Sequence, residues 1–249
     1  MPFMTASSAV SRPNPEPDDG QPLDIWCART RPDHVIVGEG AVLRSIRSKD
    51  IPIRAAAAAD VEAQRWLGAA KVSSAKRVQR DLARPGGGLL VPSYNDPAGS
   101  SLEFAVMMPD RRVVAGFIGL SRPSVEAEES AGDPPPKAID WQVGVCLVPQ
   151  YRGRQMGRRA LRLIARFAHV HLDIPVVTAG VEPANVASCR ALITAGFEPT
   201  PGPRQHTLTD GRIVPARWFR HAASAPAAQL CRFAPKSGWG LSLHQLLEH

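Results

Sequence analysis

Lysine is scarce in this chain. Of the 249 residues only Lys49, Lys71, Lys76, Lys137 and Lys236 are lysines, although Lys and Arg together number 30, so the positive charge is carried by arginine. Tyrosine is scarcer, with Tyr94 and Tyr151 alone, which removes the phenol as a proton donor from almost every position. The four cysteines, Cys27, Cys146, Cys189 and Cys231, form no C-x-x-C pair and have no histidine at metal-ligand spacing, so neither a disulfide framework nor a zinc site is indicated. No stretch approaches the roughly 18 apolar residues of a membrane-spanning helix. The opening MPFMTASSAVSRPNPEPDDG lacks the apolar core of a secretory signal. These absences lead us to expect a cytoplasmic protein with reduced thiols and no membrane partner. A hydrophobic content of 44% and a charged content of 21% are those of a globular chain of one or two domains.

Lys+Arg of 30 against Asp+Glu of 23 gives a net charge of +7, which favours anionic partners. Its distribution says more. No acidic residue lies between Trp141 and Leu172, yet Arg152, Arg154, Arg158, Arg159, Arg162 and Arg166 all fall there, so an anion is expected to dock at this segment.

Residues 1–40 are expected to be a flexible tail, since the first 23 carry five prolines and no hydrophobic periodicity. A domain is expected over 41–220. AVLRSI from Ala41 has the character of a strand, and SKDIPIRAAAAADVEAQRWLG that of a helical region with Ser48 as N-cap. A second helical stretch is expected at about 73–83, ended by Arg84-Pro85-Gly86-Gly87-Gly88. SLEFAVMM and RRVVAGFIGL flank Pro109-Asp110 as a hairpin. AIDWQVGVCLV alternates, with Ile139, Trp141, Val143, Val145 and Leu147 on the core face and Asp140, Gln142, Gly144 and Cys146 on a polar one. A helix follows in which Met156, Ala160, Leu163, Ile164 and Phe167 share a stripe. IPVVTAGV is a buried strand, Asn185 caps a short helix ending at Gly196, and a hairpin turns at Thr209-Asp210-Gly211. This order predicts an α+β fold: a mixed, mostly antiparallel sheet of six to seven strands flanked by about four helices. Residues 221–249 are expected to be an extension whose last residues, Leu247-Glu248-His249, match the start of a purification-tag scar.

A strand that runs through a glycine-containing turn into a helix aims successive backbone N–H groups and the positive helix end at one point, which suits phosphate. Here that turn is Gln150-Tyr151-Arg152-Gly153-Arg154-Gln155-Met156-Gly157. No G-K-[ST] follows it, so it is not a P-loop, and it is not a G-x-G-x-x-G dinucleotide turn.

Arg152-Gly153-Arg154-Gln155-Met156-Gly157 resembles the Q/R-x-x-G-x-G/A turn of the GNAT superfamily of acetyl-CoA-dependent N-acetyltransferases, with Gln155 standing where the first glycine is usual. VEPANVASCRALITAGFEPT resembles the family's later motif, an asparagine opening a helix that ends in Gly-Phe. The likeness covers about 41–220, and AVLRSIRSKD with RWLG is similar to the RimJ/RimL-type branch. The resemblance implies acetyl-CoA as acyl donor. Its pyrophosphate would be held by residues 152–157 and Arg158, and its pantetheine would lie beside Cys146, Leu147 and Val148, with Asn185 orienting the pantetheine or the amine. The acceptor implied is a primary amine, either a peptide or protein N-terminus or a small molecule. A homodimer is compatible with the sequence.

By the same resemblance the amine attacks the thioester directly, and a backbone N–H near Leu147 holds the oxyanion. The position where many relatives place an acid tyrosine is Leu192, so Ser188, three residues after Asn185, is the acid candidate. Asp140 is the base candidate by position, with Glu198 and His206 as alternatives; Gln142 stands where relatives often carry glutamate and cannot accept the proton. The competing readings are a catalytically silent acyl-CoA-binding module and a basic nucleic-acid-associated module. Ser188 as an ordinary helix residue, Asp140 as a surface residue and Trp141, Trp218 and Phe117 as core are the plain structural readings of the same positions.

Overall fold

The computed structural model describes residues 24–27, 34–68, 101–108, 113–121, 141–223 and 231–233. The expected helix at 73–83 and Asp140 lie outside the described residues. The strands are β1 Asp24–Cys27, β2 His34–Gly38, β3 Ala41–Ser45, β4 Ser101–Met108, β5 Val113–Ser121, β6 Trp141–Leu147, β7 Val176–Val181, β8 Glu198–Thr200, β9 Gln205–Thr207, β10 Ile213–Pro215, β11 Arg217–Ala222 and β12 Cys231–Phe233. The helices are α1 Ile51–Ala59, α2 Val61–Leu67, α3 Met156–His171 and α4 Val186–Thr194. The sheet runs β12-β1-β2-β3-β4-β5-β6-β7-β11-β8, with β9 and β10 as a separate ribbon. Among the described residues only β1–β12 and β6–β7 pair in parallel.

The mixed, mostly antiparallel α+β architecture is the expected one, and four helices flank the sheet among the described residues. The sheet is wider than six to seven strands. The residues expected as a tail supply β1 and β2, and those expected as an extension supply β12, so 24–27, 34–38 and 231–233 are strands of the same sheet. β1, β2 and β3 form a local antiparallel meander, and only β12 reaches the sheet through a partner distant in sequence, β1.

The sheet buries both faces. On one, α3 lays the predicted stripe onto Leu43, Phe104, Ile118 and Trp141; Leu163, Ile164 and Phe167 are fully buried, and the Phe104 and Phe167 rings meet edge to face at 5.5 Å. Each such side chain contributes about 1.5–3 kcal/mol on leaving water. On the other face, Ala57 of α1 packs with Val42, Ala105, Met107 and Phe117. The alternation read from β6 holds: Val145 and Leu147 lie against the α3 core, and Cys146 against the α1 core.

The expected single helix over 48–68 divides at Asp60, whose backbone is extended at φ −62°, ψ 142° while its carboxylate accepts from the N–H groups of Glu62 and Ala63 and so caps α2. The start of α1 depends on a buried ion pair. Arg44 donates two bonds to Asp50, at 2.6 and 2.7 Å, and the Arg47 N–H adds a third at 2.8 Å; side-chain exposure is 5% for Arg44 and 2% for Asp50. Removing one member of such a pair leaves the other charge buried and uncompensated. Asp50→Ala should therefore lower stability by about 3–5 kcal/mol in denaturant titration; a loss below about 1 kcal/mol would show the pair to be dispensable.

Candidate active site

β6 and β7 begin as parallel neighbours and then part. Their register contains two pairs, Trp141↔Val177 and Gln142↔Thr178, and no later residue of either strand pairs across. Each strand is held instead by its outer neighbour: β6 by β5 through Leu147, β7 by β11 through Val181. The Val148 N–H donates to Ala115 O at 3.0 Å, which fixes the alternation of narrow and wide pairs along β5–β6. The main-chain groups of Val145 and Leu147 consequently point away from β5 and into the gap. On the far side, the Ala223 N–H donates to Pro175 O at 3.0 Å, which by the same alternation turns the main chain of Thr178 and Gly180 toward the gap. Backbone donors and acceptors left this way call for a partner.

The gap opens into a cavity of about 460 Å³ whose lining includes Gly144, Val145, Gly180, Asn185, Ser188 and His206. At the C-terminal end of β6 the chain passes through a short helical turn at Pro149–Tyr151 and enters α3. The amides of Tyr151 and Arg152 are taken by Val148 O and Pro149 O. Those of Gly153, Arg154, Gln155, Met156 and Gly157 donate to no backbone carbonyl among the described residues, as expected for a turn and a helix N-terminus. Gly153 adopts φ +72°, and a Cβ there would meet nothing within 4 Å; a Cβ on Gly157 would meet only Leu147 Cδ1 at 3.7 Å. The space that side chains would fill at both positions is open. Free amides, a helix N-terminus and backbone approachable at two glycines fit a diphosphate, and the unpaired edge of β6 fits an extended amide-bearing arm.

Several predicted contacts take other partners. The Arg152 guanidinium is bound to Asp60 and, at 3.2 Å, to Leu147 O, so both its amide and its side chain are engaged within the protein. The arginine hydrogen bond holds the Asp60 carboxyl below its usual range. Val148 spends its only donor, the N–H, on Ala115, and its carbonyl already accepts from the Tyr151 N–H. In the alternation set by Val148 and Ala115, Cys146 and Phe117 are a hydrogen-bonded pair whose main chain faces β5, so the strand edge offered to the gap is Val145 and Leu147 rather than Cys146 and Val148. The Met156 side chain is buried in the core and only its amide faces the turn. Arg158 stands in the first turn of α3, and Arg154 is exposed with its guanidinium over the Tyr151 ring at 5.8 Å. The arginine stripe is not a free dock. Arg162 and Arg166 reach Glu39 at 3.3 and 3.5 Å, and Arg159 donates to Gly40 O at 3.2 Å, which ties α3 to the β2–β3 turn.

Asn185 and Ser188 both line the cavity. The Asn185 side chain accepts from the Ser188 N–H at 3.1 Å, which makes it the N-cap of α4. The Ser188 hydroxyl makes no hydrogen bond among the described residues, unlike Thr194, whose hydroxyl bonds back to Arg190 O at 2.8 Å. His206 also lines the cavity, set edge-on to Trp218 at 5.8 Å; burial pushes its pKa down, so the imidazole is neutral near pH 7. Glu198 is exposed on β8 and does not line the cavity. Burial pushes the Cys146 thiol pKa up, against the pull of Arg152 and Arg54, which keeps it protonated. Trp141 and Phe117 are buried in the two cores, and Trp218 covers Gly180 and donates to Pro203 O at 2.7 Å. Sequence reasoning missed Val145, Gly180 and Glu103 as cavity residues; glycines inside strands, at 119, 144 and 180, were the available signal.

Comparison with known proteins defines the class. The sequence model described as the acetyltransferase (GNAT) domain matches residues 41–198, and the chain belongs to this family of acetyl-CoA-dependent acetyltransferases. No curated protein sequence matches it. Among solved structures, the GNAT-family acetyltransferase from Bacillus anthracis superposes with a TM-score of 0.55 at 12% identity, covering 76% of this chain and 98% of that one. A Vibrio cholerae protein designated a ribosomal-protein-serine acetyltransferase gives 0.53 at 14% identity, covering 78% and 99%. The aminoglycoside acetyltransferase AAC(6')-Ib, solved with paromomycin and acetyl-CoA, gives 0.52 at 16% identity, covering 74% and 94%. At these identities the likeness is one of fold.

Gln155, the N-cap of α3, adopts φ +61°, a left-handed conformation that costs a side-chain-bearing residue about 1 kcal/mol relative to glycine. Gln155→Gly should raise stability by about 0.5–1 kcal/mol in thermal or denaturant unfolding; a loss of that size would show that the glutamine side chain contributes more than its backbone strain costs.

Proposed function

We propose that the protein is an N-acetyltransferase that moves the acetyl group of acetyl-CoA directly to a primary amine. The observation that carries this reading is the parting of β6 from β7, with unpaired main chain along it leading to the free amides of 153–157. The diphosphate fits those amides. The pantetheine arm fits the β6 edge at Val145 and Leu147, where the Leu147 N–H is available to the oxyanion formed as the amine adds. Cys146 stays protonated and half-buried with its Sγ 3.8 Å from Ala57 O, which favours direct transfer over an acyl-cysteine relay.

Ser188, with an uncommitted hydroxyl in the cavity, is the proton donor to the departing thiolate, and Asn185 holds the turn that presents it. The acceptor is a peptide or protein N-terminus or a small amine; the Vibrio cholerae and AAC(6')-Ib likenesses each offer a precedent, and the first favours the RimJ/RimL-type branch. A nucleic-acid module has less support, because Arg152, Arg162 and Arg166 are paired with acidic side chains.

Release of free thiol from acetyl-CoA across primary amines and short peptides tests the assignment, and Ser188→Ala should lower kcat about tenfold or more while acetyl-CoA affinity by calorimetry stays within about twofold. Unchanged kcat would make Ser188 a structural residue. Gly157→Asp places a carboxylate at the diphosphate site and should abolish acetyl-CoA binding; unaltered affinity would put the diphosphate elsewhere.

A further inference from the structure

At the level of the gap a row of residues crosses the α1 face of the sheet. Glu103 on β4 pairs directly with Gly119 on β5, and Gly119 with Gly144 on β6. Two residues beyond the Gln142↔Thr178 pair, Gly144 stands across the gap from Gly180 of β7, and Gly180 pairs with Trp218 of β11. Glycine thus occupies the same level of three successive strands. A Cβ on Gly119 would meet only Leu102 O, at 3.7 Å, and one on Gly144 nothing within 4 Å. The row is a trough floored by bare backbone, and its glycines all line the cavity. At the β11 end the Trp218 ring covers Gly180, where a Cβ would come within 3.0 Å of it.

Glu103 closes the other end. Its Oε1 accepts from Arg54 Nε at 2.6 Å, and this is its only hydrogen bond among the described residues, which leaves Oε2 to the cavity that Glu103 lines. Arg54 Nη1 is buried without a hydrogen-bond partner among the described residues, a donor that a water held in the trough would satisfy. Adjacent strands lie about 4.8 Å apart, so Glu103 stands about 10 Å from Gly144 between Cα positions, a span that its side chain and one or two waters cover. Among the described residues the charged and titratable groups that line the cavity with Glu103 are Arg54 of α1, Cys146 of β6, Glu182 just after β7 and His206, with the Arg152–Asp60 pair beyond them and the Arg44–Asp50 pair buried at the start of α1. His206 sits at the opposite end, against Trp218.

We infer that Glu103 accepts the proton of the acceptor ammonium, through water lying over Gly119 and Gly144. The inference rests on the acetyl-transfer reading above. An N–H bond of the ammonium breaks and its proton passes along water to Glu103 Oε2. The freed lone pair forms the C–N bond to the acetyl carbon, the C–S bond breaks with its electrons leaving on sulfur, and a second N–H proton passes through Ser188 Oγ to that sulfur. The products are the amide, free CoA thiol and a protonated Glu103 that returns its proton to solvent.

The test uses the full chain with acetyl-CoA and two acceptors, an alkylamine that the wild type acetylates and an aminooxy compound, which is already neutral at pH 7. Glu103→Gln should lower kcat about 100-fold with the alkylamine at pH 7, with the deficit closing about tenfold per pH unit as the amine deprotonates by itself. With the aminooxy acceptor the loss should stay within about threefold, and calorimetric affinity for acetyl-CoA should not change. Gly119→Ala, whose Cβ has room, should cut alkylamine turnover about tenfold and spare the aminooxy acceptor, and it keeps the test open if loss of the Arg54 partner unfolds E103Q. Equal losses with both acceptors, or none with either, overturn the inference while leaving acetyl transfer in place. A wild type that releases no thiol with any amine overturns the transfer reading and this inference with it.

Discussion

Two strands that start as hydrogen-bonded neighbours and then cannot stay so govern this molecule. β6 follows β5 through Leu147 and β7 follows β11 through Val181, so the sheet has to open between them after Gln142 and Thr178. Opening a sheet strands backbone polar groups, and an unpaired buried amide is costly. A ligand that is itself amide-bearing and extended would meet that cost, which is the physical ground for proposing the gap as the binding slot. The cradle of amides at 153–157 extends the same principle to an anion, since the first turn of α3 has no internal partners to offer.

The rest of the fold fixes this opening in place. α3 is bound to the α3-side core by its apolar stripe and to the β2–β3 turn by Arg159, Arg162 and Arg166. Asp60 caps α2 and binds Arg152, whose guanidinium also reaches Leu147 O; one contact thereby joins α1 and α2, which line the cavity, to the turn before α3. The β9–β10 ribbon is fastened to the same helix, with Thr209 Oγ1 donating to Leu67 O at 2.6 Å and Arg212 Nη2 donating to Gln64 O and, at 3.1 Å, to Arg65 O.

What depended on local pattern was legible in the sequence. The stripe of Met156, Ala160, Leu163, Ile164 and Phe167, the alternation of β6 and the cap at Asn185 each follow from periodicities of a few residues, and the structure has them in place. Partners brought from afar were not legible. Glu39, which meets Arg162 and Arg166, lies 123 and 127 residues away from them, so a segment without acid in sequence is not without acid in space. Asp60 and Arg152 are 92 residues apart, and nothing near Arg152 marks it as engaged. The row of Glu103, Gly119, Gly144 and Gly180 exists only once strand register is set, and a one-residue slip would dissolve it. Gln155 was legible as a departure, and its φ of +61° supplies the reason: the backbone there is the one glycine would take.

The most direct measurement is a crystal structure of the protein soaked or grown with CoA. The diphosphate should lie within hydrogen-bond distance of the amides of residues 153–157, and the pantetheine between β6 and β7 with its amides paired to the main chain of Val145 or Leu147. A diphosphate bound away from that turn, or a gap between the strands left vacant beside bound CoA, would contradict this placement.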